Sequence, residues 1–178
     1  IMNNDKLLRN VYDLASTVVS SVLVICVVFT FLFKLSTVNG QSMEKTLHNG
    51  DRLIISAISK DIDYGDVVII SQPNAYSKVL IKRVIAVGGQ TIEFDHKKGT
   101  VSVDGKVLDE PYIKEKMNIS PFMQDKYVVP EGKFFVMGDN RNHSADSRDI
   151  GVGMIDEDYI LGKVIYKFGD KGLFNSWI

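Results

Sequence analysis

Cys26 is the only cysteine among 178 residues, which excludes intramolecular disulfides and cysteine-built metal sites. Histidine is nearly as scarce. His48, His96 and His143 stand apart, without the short spacings that bring metal-binding imidazoles together. Neither sign of charge is in excess: 21 basic side chains face 22 acidic ones, for a formal net charge of -1. Without a basic stripe the chain lacks the electrostatic footprint of a nucleic-acid binder, so no nucleic acid is expected as a partner. Repeats and low-complexity tracts are absent, and no helical period of useful length follows residue 36. No metal or other cofactor is expected.

One apolar run dominates what is there. From Leu14 to Phe33, LASTVVSSVLVICVVFTFLF carries no charged residue. As a helix rising about 1.5 Å per residue it spans roughly 30 Å, the hydrocarbon thickness of a bilayer. A buried core helix of that length would show a polar face. A cleaved signal peptide would have a shorter apolar region followed by small residues, which Phe31 to Leu35 do not supply. The expectation is a short cytoplasmic segment (1–13), a retained transmembrane helix (14–35) and an extracytoplasmic β-rich domain (36–178). The orientation follows from Lys6 and Arg9 before the span against Lys34 after it.

Past residue 36 the pattern is β. Runs rich in β-branched residues at 52–56, 66–70, 79–87, 91–94, 100–103, 106–108, 126–129, 133–137 and 159–168 are separated by turn residues. Asp104-Gly105 between two of them predicts a tight hairpin. Segment 109–125 is polar and mixed, a surface excursion. The apolar end, 172–178, suits an edge strand or a membrane-surface contact. Strands this closely spaced predict a mainly β domain, an antiparallel sheet or partial barrel behind one transmembrane helix.

Three residues suggest chemistry. Ser42 follows Gly40-Gln41 just beyond the apolar run; such a serine is ordinarily a turn residue, and its hydroxyl needs a base before it can attack. Lys82 shares a strand face with Leu80 and Val84, so desolvation could lower its pKa, although a lysine protecting a sheet edge gives the same pattern. His143, in the polar run from Gly138 to Gly151, is the other available base and would make a histidine triad with Ser42.

Four short boxes in order, behind the anchor, resemble the bacterial type I signal peptidases. The family's nucleophile box, Ser-Met-x-Pro-Thr-Leu, is similar to Ser42-Met43-Glu44-Lys45-Thr46-Leu47. Gly50-Asp51 resembles the second box and Lys82-Arg83-Val84 the one carrying the base. Gly138-Asp139-Asn140-Arg141 with Ser144, Asp146-Ser147-Arg148 and Gly151 resembles the last. The resemblance implies Ser42 as nucleophile and Lys82 as general base, with Ser144 hydrogen-bonding the lysine amine. It also implies ion pairs Asp146–Arg148 and Arg83–Asp139 that hold the site together. Gly40 stands where some members place an oxyanion-hole serine, so only backbone could act there.

Two departures stand out. Lys45 replaces the family's proline, which is expected to leave the turn freer and put a cation near the site. Gly88-Gly89-Gln90 replaces a common Gly-Asp. The implied function is a membrane-bound serine endopeptidase that removes signal peptides from exported preproteins, with preproteins and the lipid bilayer as partners. Two rivals have different signatures. A self-cleaving repressor would carry a DNA-binding module, and a catalytically inactive membrane-anchored relative that only binds precursors has no need of Ser42, Lys82 and Ser144 together.

Overall fold

The computed structural model describes residues 4–58, 61–95, 97–118 and 124–168. His96 and the apolar end at 172–178 lie outside these residues.

Helix α1 (Asn4–Leu32) opens the chain, long and apolar enough to cross a membrane. Residues 5–31 are exposed along its whole length, so nothing in the β domain covers its apolar surface. Serine and threonine along it (Ser16, Thr17, Ser20, Ser21 and Thr30) turn their hydroxyls back onto carbonyls three or four residues earlier, which satisfies them without water. The helix contains most of the span expected at 14–35 and starts ten residues before it, and residues 33–35 belong to a strand.

That strand is β1 (Phe33–Thr37), followed by β2 (Arg52–Ser56), β3 (Val67–Ile70), β4 (Leu80–Val87), β5 (Thr91–Asp95) and β6 (Thr100–Val103). After the two-residue β7 (Lys106–Val107) come β8 (Lys126–Val128), β9 (Lys133–Met137), β10 (Ile155–Asp156) and β11 (Ile160–Phe168). The larger sheet has seven strands in the order β1-β2-β11-β3-β4-β9-β10, every neighbouring pair antiparallel. It curls into a half-barrel that stays open between β1 and β10. Register shifts in β4 and β11 supply bulges where the sheet bends. The smaller sheet, β7-β6-β5-β8, includes the hairpin at Asp104-Gly105.

Three apolar clusters hold this together. One packs the small sheet onto the large one through Ile92, Phe94, Val101, Phe135 and Met137. A second, on the other side of β3, β4 and β9, joins Val68, Val84, Val136 and Ile155. The third matters most for the site: Val38, Met43, Leu47, Leu53, Ile55, Val67 and Ile69 fill the curl beneath the loop after β1. Met43 and Leu47 are fully buried one helical turn apart, and the Leu47 N–H donates to the Met43 carbonyl at 2.8 Å. Two side chains driven into the core therefore pin the loop that carries Ser42.

Candidate active site

Ser42 sits at the start of that pinned turn, half-exposed, and Lys82 comes from β4. β4 lies between β3 and β9, so Lys82 is not an edge lysine; only 2% of it is exposed. The Lys82 Nζ donates to Ser42 Oγ at 2.7 Å. Burial pushes the amine down from 10.5 to about 8; Asp146 and Asp139 pull it back up, and the Arg148 guanidinium adds to the depression. An ammonium can only donate, but once it loses its proton the same contact reverses, and the hydroxyl donates to a nitrogen lone pair. The arrangement can therefore generate an alkoxide-like nucleophile near neutral pH.

The loop after β9 closes over this pair. Asn140 N–H donates to the Ser42 carbonyl at 3.0 Å, and its side-chain amide to the Gln41 carbonyl at 3.1 Å. Gly138 makes that approach possible. A Cβ there would lie 2.4 Å from the Ser42 carbonyl oxygen and 2.3 Å from Ser144 Oγ, far inside contact distance. The Gly138 N–H in turn donates to Asp146 at 2.9 Å.

Two bidentate arginine–carboxylate pairs flank the amine. Arg148 binds Asp146 through Nε and Nη2, both at 2.7 Å. Arg83 binds Asp139 at 2.9 and 2.7 Å, and Thr46 Oγ1 adds a third bond to the same carboxylate. Both carboxylates are wholly buried. Burial opposes the Asp146 charge, yet Arg148 and the Gly138 N–H outweigh it and hold its carboxyl below the usual range.

Two details differ from expectation. The Ser144 hydroxyl makes no hydrogen bond to Lys82. Its oxygen is buried beside Gly138, adds a weak pull on Asp146, and has no partner at good geometry among the described residues. The Gly40 N–H is already donated to Asn49 Oδ1 at 2.9 Å, whereas the Ser42 N–H has no hydrogen-bond acceptor among the described residues. His143 is exposed, and its backbone N–H, donated to the Asn140 carbonyl, is its one hydrogen bond among the described residues.

The sequence reading missed the segment after β7. Glu110 pairs with Arg141, and the Tyr112 ring lies 4.2 Å from the Arg83 guanidinium carbon. Lys114 bonds the Glu44 carboxylate at 2.8 Å, while Lys45 donates to the Pro111 carbonyl at 2.9 Å. The turn with lysine in place of proline is thus tied down from outside rather than freer. The lysine charge is drawn toward segment 109–118.

A cleft of about 260 Å³ opens beside the pair, lined on one side by residues 36–40 and on the other by 78–82. Of two larger hollows, one of about 610 Å³ lies at the smaller sheet and one of about 800 Å³ adjoins the cleft at Ser36 and Thr37, but neither is lined by a hydroxyl bonded to a buried amine. Chemistry rather than size picks out the smaller one.

A buried lysine hydrogen-bonded to a cleft serine, on a half-open antiparallel β fold behind an apolar helix, is an arrangement able to support acyl transfer at the serine without histidine. The family model described as "Signal peptidase, peptidase S26" matches residues 11–168. Signal peptidase I T of Bacillus subtilis is 39% identical over 165 residues, covering 85% of this chain and 81% of that protein. A signal peptidase I of Bacillus amyloliquefaciens is 40% identical over 149 residues, 78% of this chain and 75% of that one. The crystal structure of a signal peptidase I from Enterococcus faecalis superposes with a TM-score of 0.46 at 29% identity, over 57% of this chain and 94% of that one. The sequence matches carry the assignment: this chain belongs to the signal peptidase family, peptidase S26, among its bacterial type I members.

Proposed function

We propose that this chain is a single-span membrane enzyme that removes amino-terminal signal peptides from exported preproteins, with Ser42 as nucleophile and Lys82 as general base. The observation that carries the reading is the 2.7 Å contact between Lys82 Nζ and Ser42 Oγ, made by an amine depressed to about 8 by burial. α1 holds the enzyme in the bilayer with its amino end in the cytoplasm, and the β domain works on the far side, where a preprotein's own apolar segment ends. The segment to be cut lies extended in the cleft against residues 36–40 and 78–82, using backbone that the sheet leaves unpaired.

Ser42 Oγ attacks the scissile carbonyl while Lys82 Nζ takes its proton. The Ser42 N–H donates to the oxyanion as it forms. Lys82 then gives the proton to the departing amine, the acyl-enzyme remains on Ser42, and water activated by the same amine releases it. Asn140 and the paired arginines keep the Ser42 turn and the loop after β9 in register. Small residues immediately before the cut bond, in the pattern Ala-x-Ala, are the expected substrates, because a bulky side chain would displace the carbonyl from attack.

The test is incubation of the full-length protein, in detergent or vesicles, with a preprotein, followed by sequencing of the new amino terminus. Cleavage after Ala-x-Ala that disappears in Ser42→Ala is expected. Precursor binding without cleavage by the parent protein would overturn the catalytic reading in favour of an inactive relative.

A further inference from the structure

The cleft beside Ser42 has one charged group that the chemistry does not use. Among its lining residues only Lys78 and Lys82 are ionisable, and no carboxylate is present. Lys78 is exposed, and no ion-pair partner for its ammonium is found among the described residues. Its backbone, by contrast, is fixed. The Asn74 side chain donates to the Lys78 carbonyl at 2.7 Å and accepts from the Tyr76 N–H at 3.0 Å. The Ala75 N–H donates to the Gly151 carbonyl at 2.9 Å. The backbone that carries this cation is therefore fixed on the cleft wall, while its side chain reaches into solvent.

Strand direction tells where that point falls along a bound chain. β1 and β4 are separated by four antiparallel steps through β2, β11 and β3, so the two run the same way. Residues 36–42 and 78–82 line opposite walls, and both lead toward the Ser42–Lys82 contact. The far end, at Ser36 and Lys78, is the end that joins α1. Under the function proposed above, on which this step rests, the substrate's apolar segment also lies in the bilayer. Residues before the scissile bond then occupy the Ser36 and Lys78 end. Lys78 lies four residues before Lys82, in the bend just ahead of β4, so at most about 13 Å of chain separates them, which places it opposite the side chain about four residues before the cut.

We infer that Lys78 is a specificity residue: it favours a carboxylate at about the fourth substrate residue before the scissile bond and disfavours lysine or arginine there. With no acid in the cleft to offset it, its charge acts directly on the substrate, screened only by water and salt.

The test uses full-length enzyme in neutral detergent and two preprotein peptides that differ only in Glu or Lys at that position. At low salt the Glu peptide should have a kcat/KM about threefold to tenfold higher. The ratio should fall toward one in 1 M salt, where the screening length is about 3 Å. Lys78→Gln should bring it near one at low salt, and Lys78→Glu should invert it. Lys106→Glu, a charge reversal in β7 at the other sheet, should leave it unchanged. Dissociation constants for the same peptides with the Ser42→Ala enzyme, read by fluorescence anisotropy, should show the same order. A parent that fails to cut either peptide would count against the catalytic reading, while these binding ratios still decide the role of Lys78. Equal ratios in parent and Lys78→Glu would overturn the inference. So would an equal response to Lys106→Glu, or an unaltered ratio accompanied by weaker binding of Lys78→Glu to anionic vesicles, which would place the lysine at lipid headgroups.

Discussion

Replacing Lys82 by methionine should make the protein more stable near neutral pH while abolishing turnover. Methionine keeps the length of the side chain and removes the charge. The depression of the amine from 10.5 to about 8, at about 1.36 kcal/mol per pH unit, makes burial of the ammonium cost roughly 3 kcal/mol. The sign follows from proton counting. Below pH 8 the lysine is charged in both the folded and unfolded chain, so the native state carries the whole cost. Between 8 and 10.5 the unfolded chain binds a proton that the native state has released, and stability rises with pH. Above 10.5 both are neutral and the cost is gone.

The methionine variant also loses the hydrogen bond to Ser42 Oγ, worth about 1 kcal/mol. Its net advantage near pH 6.5 is then roughly 2 kcal/mol, or about 4–8 °C in Tm for a chain of this size. The advantage should shrink steadily from pH 8 and vanish or reverse by about 10.5. The assay is thermal and denaturant unfolding of both full-length proteins in one detergent, followed across this pH range. An offset that does not change with pH, or a variant less stable at pH 6.5, would refute the idea that burial of charge sets the state of this amine.

Activity should follow the same group. kcat/KM should rise with pH and level off above about 8, and Lys82→Arg should show no such limb and no turnover, because a guanidinium does not deprotonate in a protein. His143→Ala should keep activity within about twofold, since the side chain is exposed and makes no hydrogen bond among the described residues; a loss as large as that of Ser42→Ala would instead support a histidine base. Gly138→Ala should fold less stably and lose about a hundredfold in kcat, because the added Cβ would have to displace the Ser42 carbonyl. Undiminished kcat in a folded Gly138→Ala protein would show that the turn has slack the contacts do not suggest.

How much of this the sequence shows depends on the range of the signal. The apolar helix and most strands are local patterns and are legible. β1 is not: Phe33, Lys34 and Leu35 continue an apolar run, and composition cannot tell the last turn of a lipid span from the first residues of a strand. β10, two residues long, is too short to have a period. On strand alternation alone Lys82 reads as a surface lysine. What buries it is the position of β4 between β3 and β9 together with the loop after β9, which is information about the whole sheet. The four boxes named Ser42 and Lys82 through resemblance, and the structure places their side chains in contact. Segment 109–118 has no periodicity at all. Its ties to Glu44, Lys45 and Arg141 exist only once the domain is folded, so a reading by pattern passes over it.

The surroundings of Lys82 also bear on why so many charges are buried near a group that, under the proposed mechanism, becomes neutral. A lone carboxylate a few ångströms away would hold the lysine charged, at about 4 kcal/mol for 4 Å in an environment of effective dielectric 20. Asp139 and Asp146 are both wholly buried, yet each is matched by its own guanidinium in a two-point contact, Arg83 for one and Arg148 for the other. Arg148 offsets the pull of Asp146, Asp139 adds a smaller pull, and desolvation remains the largest influence on the amine, so the balance stays on the side of proton release. Buried ion pairs add little to stability once desolvation is counted. Their contribution here is positional. Asp146 receives the Gly138 N–H, Asp139 receives Thr46 from the nucleophile turn, and the two pairs together lock that turn to the loop after β9. Arginine suits this role better than lysine would, because it keeps its charge at any working pH.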